Sequence, residues 1–174
     1  MAGCWAAAAT VRPVRALAGA MAALLLLVSA CSGDGSGSGA TLKGDYERLY
    51  GGEASFESYR GKPVVVNFFS STCVPCQTEM PALEQTKQQL GDKVAFVGMD
   101  VNDTVGAGRA FAASTGVTWD LGRDTDASIM QGLGGVYLPT TAIADGNGKV
   151  VWLHTGVIDV ADVTTQLRDH HLIS

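Results

Sequence analysis

The chain of 174 residues carries 12 basic and 17 acidic residues, a formal charge of −5. Its first 30 residues hold two of the basic residues, Arg12 and Arg15, and no acidic one, so the other 144 residues carry −7. A mildly acidic domain without basic clusters argues against nucleic-acid binding and against electrostatic docking on anionic lipid. The length without those 30 residues suits one domain with a proper hydrophobic core.

The first 30 residues have the pattern of a secretory signal. Arg12 and Arg15 precede an apolar run, Ala16 to Val28, that is too short to span a bilayer comfortably. The run leads into Ser29-Ala30-Cys31, and small residues directly before a cysteine resemble the cleavage box of bacterial lipoproteins. We therefore expect residues 1–30 to be a lipoprotein signal peptide and Cys31 to be lipidated. An ordinary signal peptide with an incidental cysteine is the alternative.

A short linker separates this signal from the predicted domain. Residues 32–39 are glycine and serine apart from Asp34, a composition typical of flexible linkers that bury nothing. We therefore assign residues 31–40 to the lipidated cysteine plus linker, and residues 41–174 to one folded domain.

Within the domain, hydrophobic periodicity and turn residues predict the order strand, helix, strand, helix, helix, strand, strand, helix. Ala54–Phe56 is a candidate short strand, and Trp119–Leu121 is expected to be irregular or a short extended piece. The predicted strands are Val64–Phe69, Lys93–Met99, Thr140–Ala144 and Lys149–His154. The predicted helices are Pro75–Leu90, Gly108–Ser114, Ala127–Gly132 and Val160–His170. The early strands need parallel crossovers and the last two form an antiparallel hairpin, which predicts an α/β domain with a mixed sheet.

Two cysteines mark the candidate active site. Cys73 and Cys76 stand between the buried strand and the first helix, separated by two residues. Since Cys4 lies in the predicted signal and Cys31 would carry lipid, no other thiol is left in the domain. A cysteine at a helix N-terminus faces unpaired N–H groups and the positive end of the dipole, which both favour thiolate. We therefore predict Cys73 as the nucleophile and the more buried Cys76 as the resolving thiol.

Two structural interpretations of this pair are weaker. A zinc half-site would need two further ligands, but there is no second cysteine pair, and the histidines are His154, His170 and His171. A purely structural disulfide would close a loop of a few residues, which restrains the unfolded chain least. We expect redox chemistry, with no metal and no cofactor.

Further motifs accompany the cysteines in a fixed order. They are Arg60-Gly61-Lys62-Pro63-Val64-Val65-Val66-Asn67-Phe68, Glu79-Met80-Pro81, Leu138-Pro139-Thr140-Thr141 and Asp145-Gly146-Asn147-Gly148-Lys149-Val150. Over about residues 41–172 the chain thereby resembles the membrane-anchored, extracytoplasmic thioredoxin-fold proteins such as TlpA and ResA. The resemblance implies a thioredoxin-like fold, a central mixed sheet flanked by helices, with an extra segment between residues 100 and 126. It also implies thiol–disulfide oxidoreductase activity.

The same resemblance implies roles for three further residues. Pro139 would be a cis-proline beside the disulfide, with the preceding backbone free to pair with a substrate strand. Asn67 falls where thioredoxin has a buried acid, and an amide cannot act as a base. Glu79 matches an acid of this group; if buried, its charge would oppose thiolate formation and favour proton shuttling. Thr72 and Val74 depart from the group, which has Trp and an acid there, so the redox potential and partner surface stay open.

The sequence therefore predicts a lipid-anchored, monomeric oxidoreductase on the outer face of the cell membrane. It would exchange a Cys73–Cys76 disulfide with protein thiols, as a reductant for example in cytochrome c maturation, and receive electrons from a membrane thiol protein. A disulfide-introducing oxidase is the alternative, and a non-enzymatic binding lipoprotein is a weaker one.

Overall fold

The computed structural model describes residues 39–174, so the predicted signal peptide, Cys31 and most of the predicted linker lie outside the described residues. The strands are β1 (Asp45–Glu47), β2 (Glu53–Ser55), β3 (Val64–Phe69), β4 (Ala95–Val101), β5 (Asp120–Asp124), β6 (Thr140–Ala144) and β7 (Val150–Thr155). The helices are α1 (Cys76–Leu90), α2 (Val105–Thr115), α3 (Ser128–Leu133) and α4 (Val160–Asp169), with 3₁₀ turns at Phe56–Tyr59 and Gly91–Lys93. Among residues 39–174, no helix has the length and apolar character needed to cross a bilayer.

The five longer strands form one mixed sheet in the order β5-β4-β3-β6-β7. β3 pairs in parallel with β4, and β4 with β5, whereas β6 runs antiparallel to both β3 and β7. All six residues of β3 are buried, as expected for an apolar strand at the centre of a sheet covered on both faces. The predicted mixed sheet flanked by helices is confirmed.

Alternate residues of the strands divide the core into two clusters. Val65 and Phe69 of β3 pack under α1, α2 and α4, together with both cysteines. Val66 and Phe68 face the other side, where α3, β1 and the 3₁₀ turn at Phe56 cover the sheet. The active-site cysteines therefore belong to the three-helix face.

Two parts of the fold are more extensive than the sequence predicted. Trp119–Leu121, expected to be irregular or a short extended piece, overlaps the start of β5, an edge strand beside β4. The segment between residues 100 and 126 thus supplies α2 and β5. β1 and β2 form an antiparallel pair of three residues each, in which β2 overlaps the candidate strand Ala54–Phe56 and β1 was not predicted. Their pairing is completed by tertiary contacts, including a bridge between Arg48 and Gly122 of β5.

Helix α2 begins three residues earlier than predicted. Thr104 caps it, its hydroxyl accepting a hydrogen bond from the Ala107 N–H at 3.3 Å, and Gly116 ends it in a left-handed conformation. Gly106 and Gly108 near its start have low helix propensity, so the sequence did not indicate that the helix begins at Val105. Gly108 is required by packing, because a Cβ there would lie 2.0 Å from Oδ2 of Asp100 on β4.

Candidate active site

The Cys73–Cys76 pair lies between the end of β3 and the first turn of α1, and it is joined as a disulfide with a Cα–Cα distance of 5.4 Å. Cys76 is completely buried, whereas Cys73 keeps 9 % of its surface and the intervening Val74 is 73 % exposed. A partner molecule therefore meets Cys73 first. This arrangement fits the predicted division into an attacking and a resolving thiol.

The backbone of the first turn differs from the expectation that Cys73 faces free N–H groups. The N–H groups of Cys76, Gln77 and Thr78 donate to the carbonyls of Cys73, Val74 and Pro75 at 3.1–3.2 Å. These bonds close the turn that brings the two sulfurs together. They also leave fewer unpaired donors for a Cys73 thiolate than an uncapped helix start would provide.

The loop before Cys73 is held by an aspartate from the next strand end. Asp103, which follows β4, accepts hydrogen bonds from both the N–H and the hydroxyl of Ser71, the latter at 2.8 Å. The hydroxyls of Ser70 and Thr72 lie 3.1 Å apart, and the Cys73 N–H donates to the Ser70 carbonyl at 3.1 Å. Short polar residues thus hold the loop in place through hydrogen bonds, whereas the resemblance implied a tryptophan at the position of Thr72.

Glu79 lies in the first turn of α1, three residues after Cys76, and is only 4 % exposed. Its Oε1 accepts a hydrogen bond from Asn67 Nδ2 at 2.8 Å, and its Oε2 accepts one from the Ile158 N–H at 3.1 Å. Asn67 also donates to Thr141 Oγ1 at 3.0 Å. Asn67 and Glu79, the two polar residues predicted to lie near the cysteines, are therefore in direct contact.

Burial raises the pKa of Glu79 above its ordinary value. The hydrogen bonds from Ile158 and Asn67, the nearby charge of His154 and the Thr141 hydroxyl oppose this shift, because they favour the carboxylate. Residues three apart on a helix are neighbours, so a Glu79 carboxylate disfavours ionisation of Cys76, and a neutral Glu79 does not.

A second buried carboxyl, that of Asp100, lies at the end of β4 and is 1 % exposed. Within residues 39–174, neither of its oxygens has a hydrogen-bond donor. Burial raises the pKa of Asp100 to about 7, and the adjacent Asp103 adds to this, whereas Arg123 lowers it. Asp100 therefore holds a proton more readily than an exposed aspartate does.

The Leu138–Pro139 peptide bond is cis, the geometry that the resemblance implied. Leu138 and Thr72 both line one cavity of about 400 Å³, whose other lining residues include Asn102, Asp103 and Gln131. The proline segment therefore borders the loop that carries Cys73.

Within residues 39–174, no three His, Cys, Asp or Glu side chains form a group able to hold a metal ion.

The family model described as Redoxin matches residues 41–167, which is most of the chain. The chain belongs to the Redoxin family. The thiol-disulfide oxidoreductase ResA of Geobacillus thermodenitrificans is 32 % identical over 123 residues, covering 69 % of this chain and 70 % of that protein. The thioredoxin-like protein YneN of Bacillus subtilis is 29 % identical over 127 residues, covering 68 % and 71 %.

Solved structures support the same assignment. MTB dsbF, in its mixed oxidized and reduced forms, has a TM-score of 0.68 and 28 % identity over 76 % of this chain and 96 % of its own. A DsbF homologue from Corynebacterium diphtheriae also has a TM-score of 0.68, at 25 % identity over 75 % and 85 %. This Redoxin-family protein is thus a TlpA/ResA-like member of the thioredoxin superfamily. It is a thiol–disulfide oxidoreductase that acts on protein thiols and disulfides.

The oxidoreductase also has an apolar rim, which we define as Val74, Val136, Tyr137 and Val157. These are four of the five large apolar side chains that stay exposed in residues 39–174. Val136 and Tyr137 precede the cis bond, and Val157 precedes Ile158, the donor to Glu79. The rim residues thus belong to three segments: the turn between the cysteines, the segment before the cis-proline and the segment before Ile158.

Four residues of this site were missed by the sequence analysis as functional candidates. They are Asp103, Thr141, His154 and Ile158. Asp103 meets the active-site loop from 32 positions away, and Ile158 meets Glu79 from 79 positions away. The signal that could have indicated Asp103 was the cluster Asp100-Val101-Asn102-Asp103 directly after a buried strand, since the ends of neighbouring parallel strands share one edge of the sheet.

Proposed function

We propose that this oxidoreductase is a reductant of protein disulfides outside the cytoplasmic membrane. The Cys73 thiolate attacks a client disulfide and releases one client thiolate, forming a mixed disulfide. Cys76 then attacks Cys73, which releases the second client thiol and leaves the Cys73–Cys76 disulfide. A thiol protein of the membrane would return the two electrons.

The buried carboxyl of Glu79, three residues after Cys76 on α1, supports this direction. A dithiol whose thiolate is strongly stabilised makes its disulfide a strong oxidant. Here Glu79 opposes thiolate formation, and hydrogen bonds of the first turn of α1 occupy donors that would otherwise stabilise it. Both effects destabilise the reduced form, so they lower the reduction potential and favour a reductant.

The reduction potential tests this direction. Equilibration with glutathione buffers should give a value well below about −200 mV, whereas a value near −120 mV would indicate a disulfide-introducing oxidase. Glu79→Gln should raise the potential at pH 8 by roughly 30 mV for each 1.4 kcal/mol of thiolate stabilisation gained. Glu84→Gln, a buried carboxyl farther along the same helix, serves as the control and should leave the potential unchanged.

The client and the electron donor can be identified by trapping. In a Cys76→Ser variant the mixed disulfide on Cys73 cannot resolve, so the natural partner stays covalently attached. We expect extracytoplasmic proteins with paired cysteines, for example those that await haem in cytochrome c maturation. If Cys73→Ser left disulfide exchange unchanged, the domain would be a binding module with an idle disulfide.

The proposed location rests on the sequence of residues 1–31. A lipid on Cys31 would hold the monomeric domain at the outer face of the membrane through the glycine–serine linker. Labelling cells with a fatty-acid probe should mark the wild-type protein but not Cys31→Ser, which should also leave the membrane fraction. Unchanged membrane association of Cys31→Ser would contradict lipid anchoring at this cysteine and favour another mode of retention.

A further inference from the structure

Three neighbouring strands place Asn67, Thr141 and His154 side by side. Asn67 of β3 is the register partner of Thr141 of β6, and Thr141 is the partner of His154 of β7. Directly opposite residues of paired strands project from the same face of a sheet. Because Asn67 contacts Glu79 on α1, the imidazole of His154 lies on this face too. The row runs outward from the central strand to the edge strand β7.

The two ends of this row differ in their access to water. Glu79 closes the inner end, buried against Asn67 and the Ile158 N–H. His154 forms the outer end and is half-buried. Its ring stacks on Trp152, with centroids 5.8 Å apart, and makes no hydrogen bond to another side chain of residues 39–174. Its nitrogens are therefore free to bind water.

His154 and Glu79 are electrostatically coupled. The charge of His154 lowers the pKa of Glu79, against the larger effect of burial. The other groups that face Glu79 are neutral: Asn67 from β3, Thr141 from β6 and the Ile158 N–H. On the outer side, Nε2 of His154 and the hydroxyl of Tyr137 border the same glycine, Gly156.

We propose that His154 carries the proton between the buried carboxyl of Glu79 and solvent during disulfide exchange. This inference rests on the proposed reaction of Cys73 and Cys76. When Cys76 attacks the mixed disulfide, the bond between Cys73 and the client sulfur breaks, and the electron pair leaves with that sulfur. The Cys76 proton passes to the Glu79 carboxylate. His154 accepts this proton from Glu79 and releases it to water, which restores the carboxylate for the next turnover.

The resolution step can be measured with glutathione disulfide as the probe. Reduced wild-type protein is mixed with the probe, quenched with acid and analysed by mass spectrometry for glutathione on Cys73. In His154→Gln we expect resolution at pH 7 to be about tenfold slower, because general acid–base groups contribute factors of this size or more. The mixed disulfide then accumulates. His170→Gln, at the exposed end of the chain, is the matched control and should resolve at the wild-type rate.

Added imidazole distinguishes proton transfer from a structural effect. His154→Ala should also resolve slowly, and its rate should rise with imidazole concentration, whereas wild type should not respond. The inference is overturned if His154→Gln resolves like wild type from pH 5 to 9, or if imidazole leaves His154→Ala slow. Wild-type resolution by Glu79→Gln would overturn it as well. By contrast, a wild-type protein that never exchanges with the probe would refute the proposed function itself.

Discussion

At the scale of single residues, Asp100 links the stability of the protein to pH. Its native pKa of about 7 lies above the ordinary value of 3.8, so the native state keeps a proton that the unfolded chain releases. The resulting stabilisation is complete below about pH 4 and is lost as pH rises to about 7, on the order of 4 kcal/mol. Asp100→Asn should therefore be more stable than wild type at pH 8, where an amide avoids the buried charge.

Urea unfolding at pH 5 and pH 8 measures this difference. We expect the free energy of unfolding of wild type to fall between the two values, and that of Asp100→Asn to change less. Asp92→Asn, an exposed aspartate in the turn after α1, should follow the wild-type dependence. If the free energy of unfolding of Asp100→Asn fell as much as that of wild type, another group would cause the pH dependence.

Only some residues of the active site could be predicted from the sequence. Cys73, Cys76 and Glu79 could be found because their spacing along one helix start is local. The contacts of Ser71 with Asp103 and of Glu79 with Ile158 depend on which strands are neighbours. The sequence indicated no functional role for His154. Its position beside Thr141 depends on the β6–β7 register, which a sequence specifies only through the complete hairpin.

At the scale of elements, two glycines of α2 predict opposite effects of the same substitution. Gly108→Ala would place a Cβ 2.0 Å from Asp100 Oδ2, whereas a Cβ at Gly106 meets nothing within 4 Å. Alanine at an exposed helical site gains about 0.5–1 kcal/mol over glycine, and overpacking costs about 1–3 kcal/mol. Chemical denaturation should therefore show Gly106→Ala stabilised and Gly108→Ala destabilised. Equal effects of the two changes would mean that helix propensity outweighs the contact between α2 and β4.

The elements that sequence predicted well are those with strong local periodicity. β3 and α1 begin and end within a residue of expectation, because an apolar run interrupted only by Asn67 marks β3 and a terminal glycine marks α1. β1 and β2 contain three residues each, and β5 reads Asp-Leu-Gly-Arg-Asp, without a clear alternation. Such strands are stabilised by their neighbours, so the sequence indicated only short extended pieces at β2 and β5 and none at β1.

At the scale of the whole molecule, the apolar rim should separate protein clients from small disulfides. Burying a valine side chain contributes about 1.5 kcal/mol, roughly tenfold in affinity. Val136→Ser with Val157→Ser should therefore lower kcat/KM for a disulfide-bonded test protein at least tenfold, while reduction by dithiothreitol stays unchanged. Tyr50→Ser, the exposed apolar residue outside the rim, is the matched control. An equal loss with dithiothreitol would indicate damage to the disulfide site instead.

The hydrogen bonds between Ser71 and Asp103 also bear on protein engineering. They connect the turn before Cys73 to a loop that comes about thirty residues later. A segment copied from Ser70 to Cys76 into another scaffold would carry the thiols without the carboxylate that shapes their approach. The minimal transplantable unit is therefore discontinuous, and it includes the end of β4 together with the cysteines.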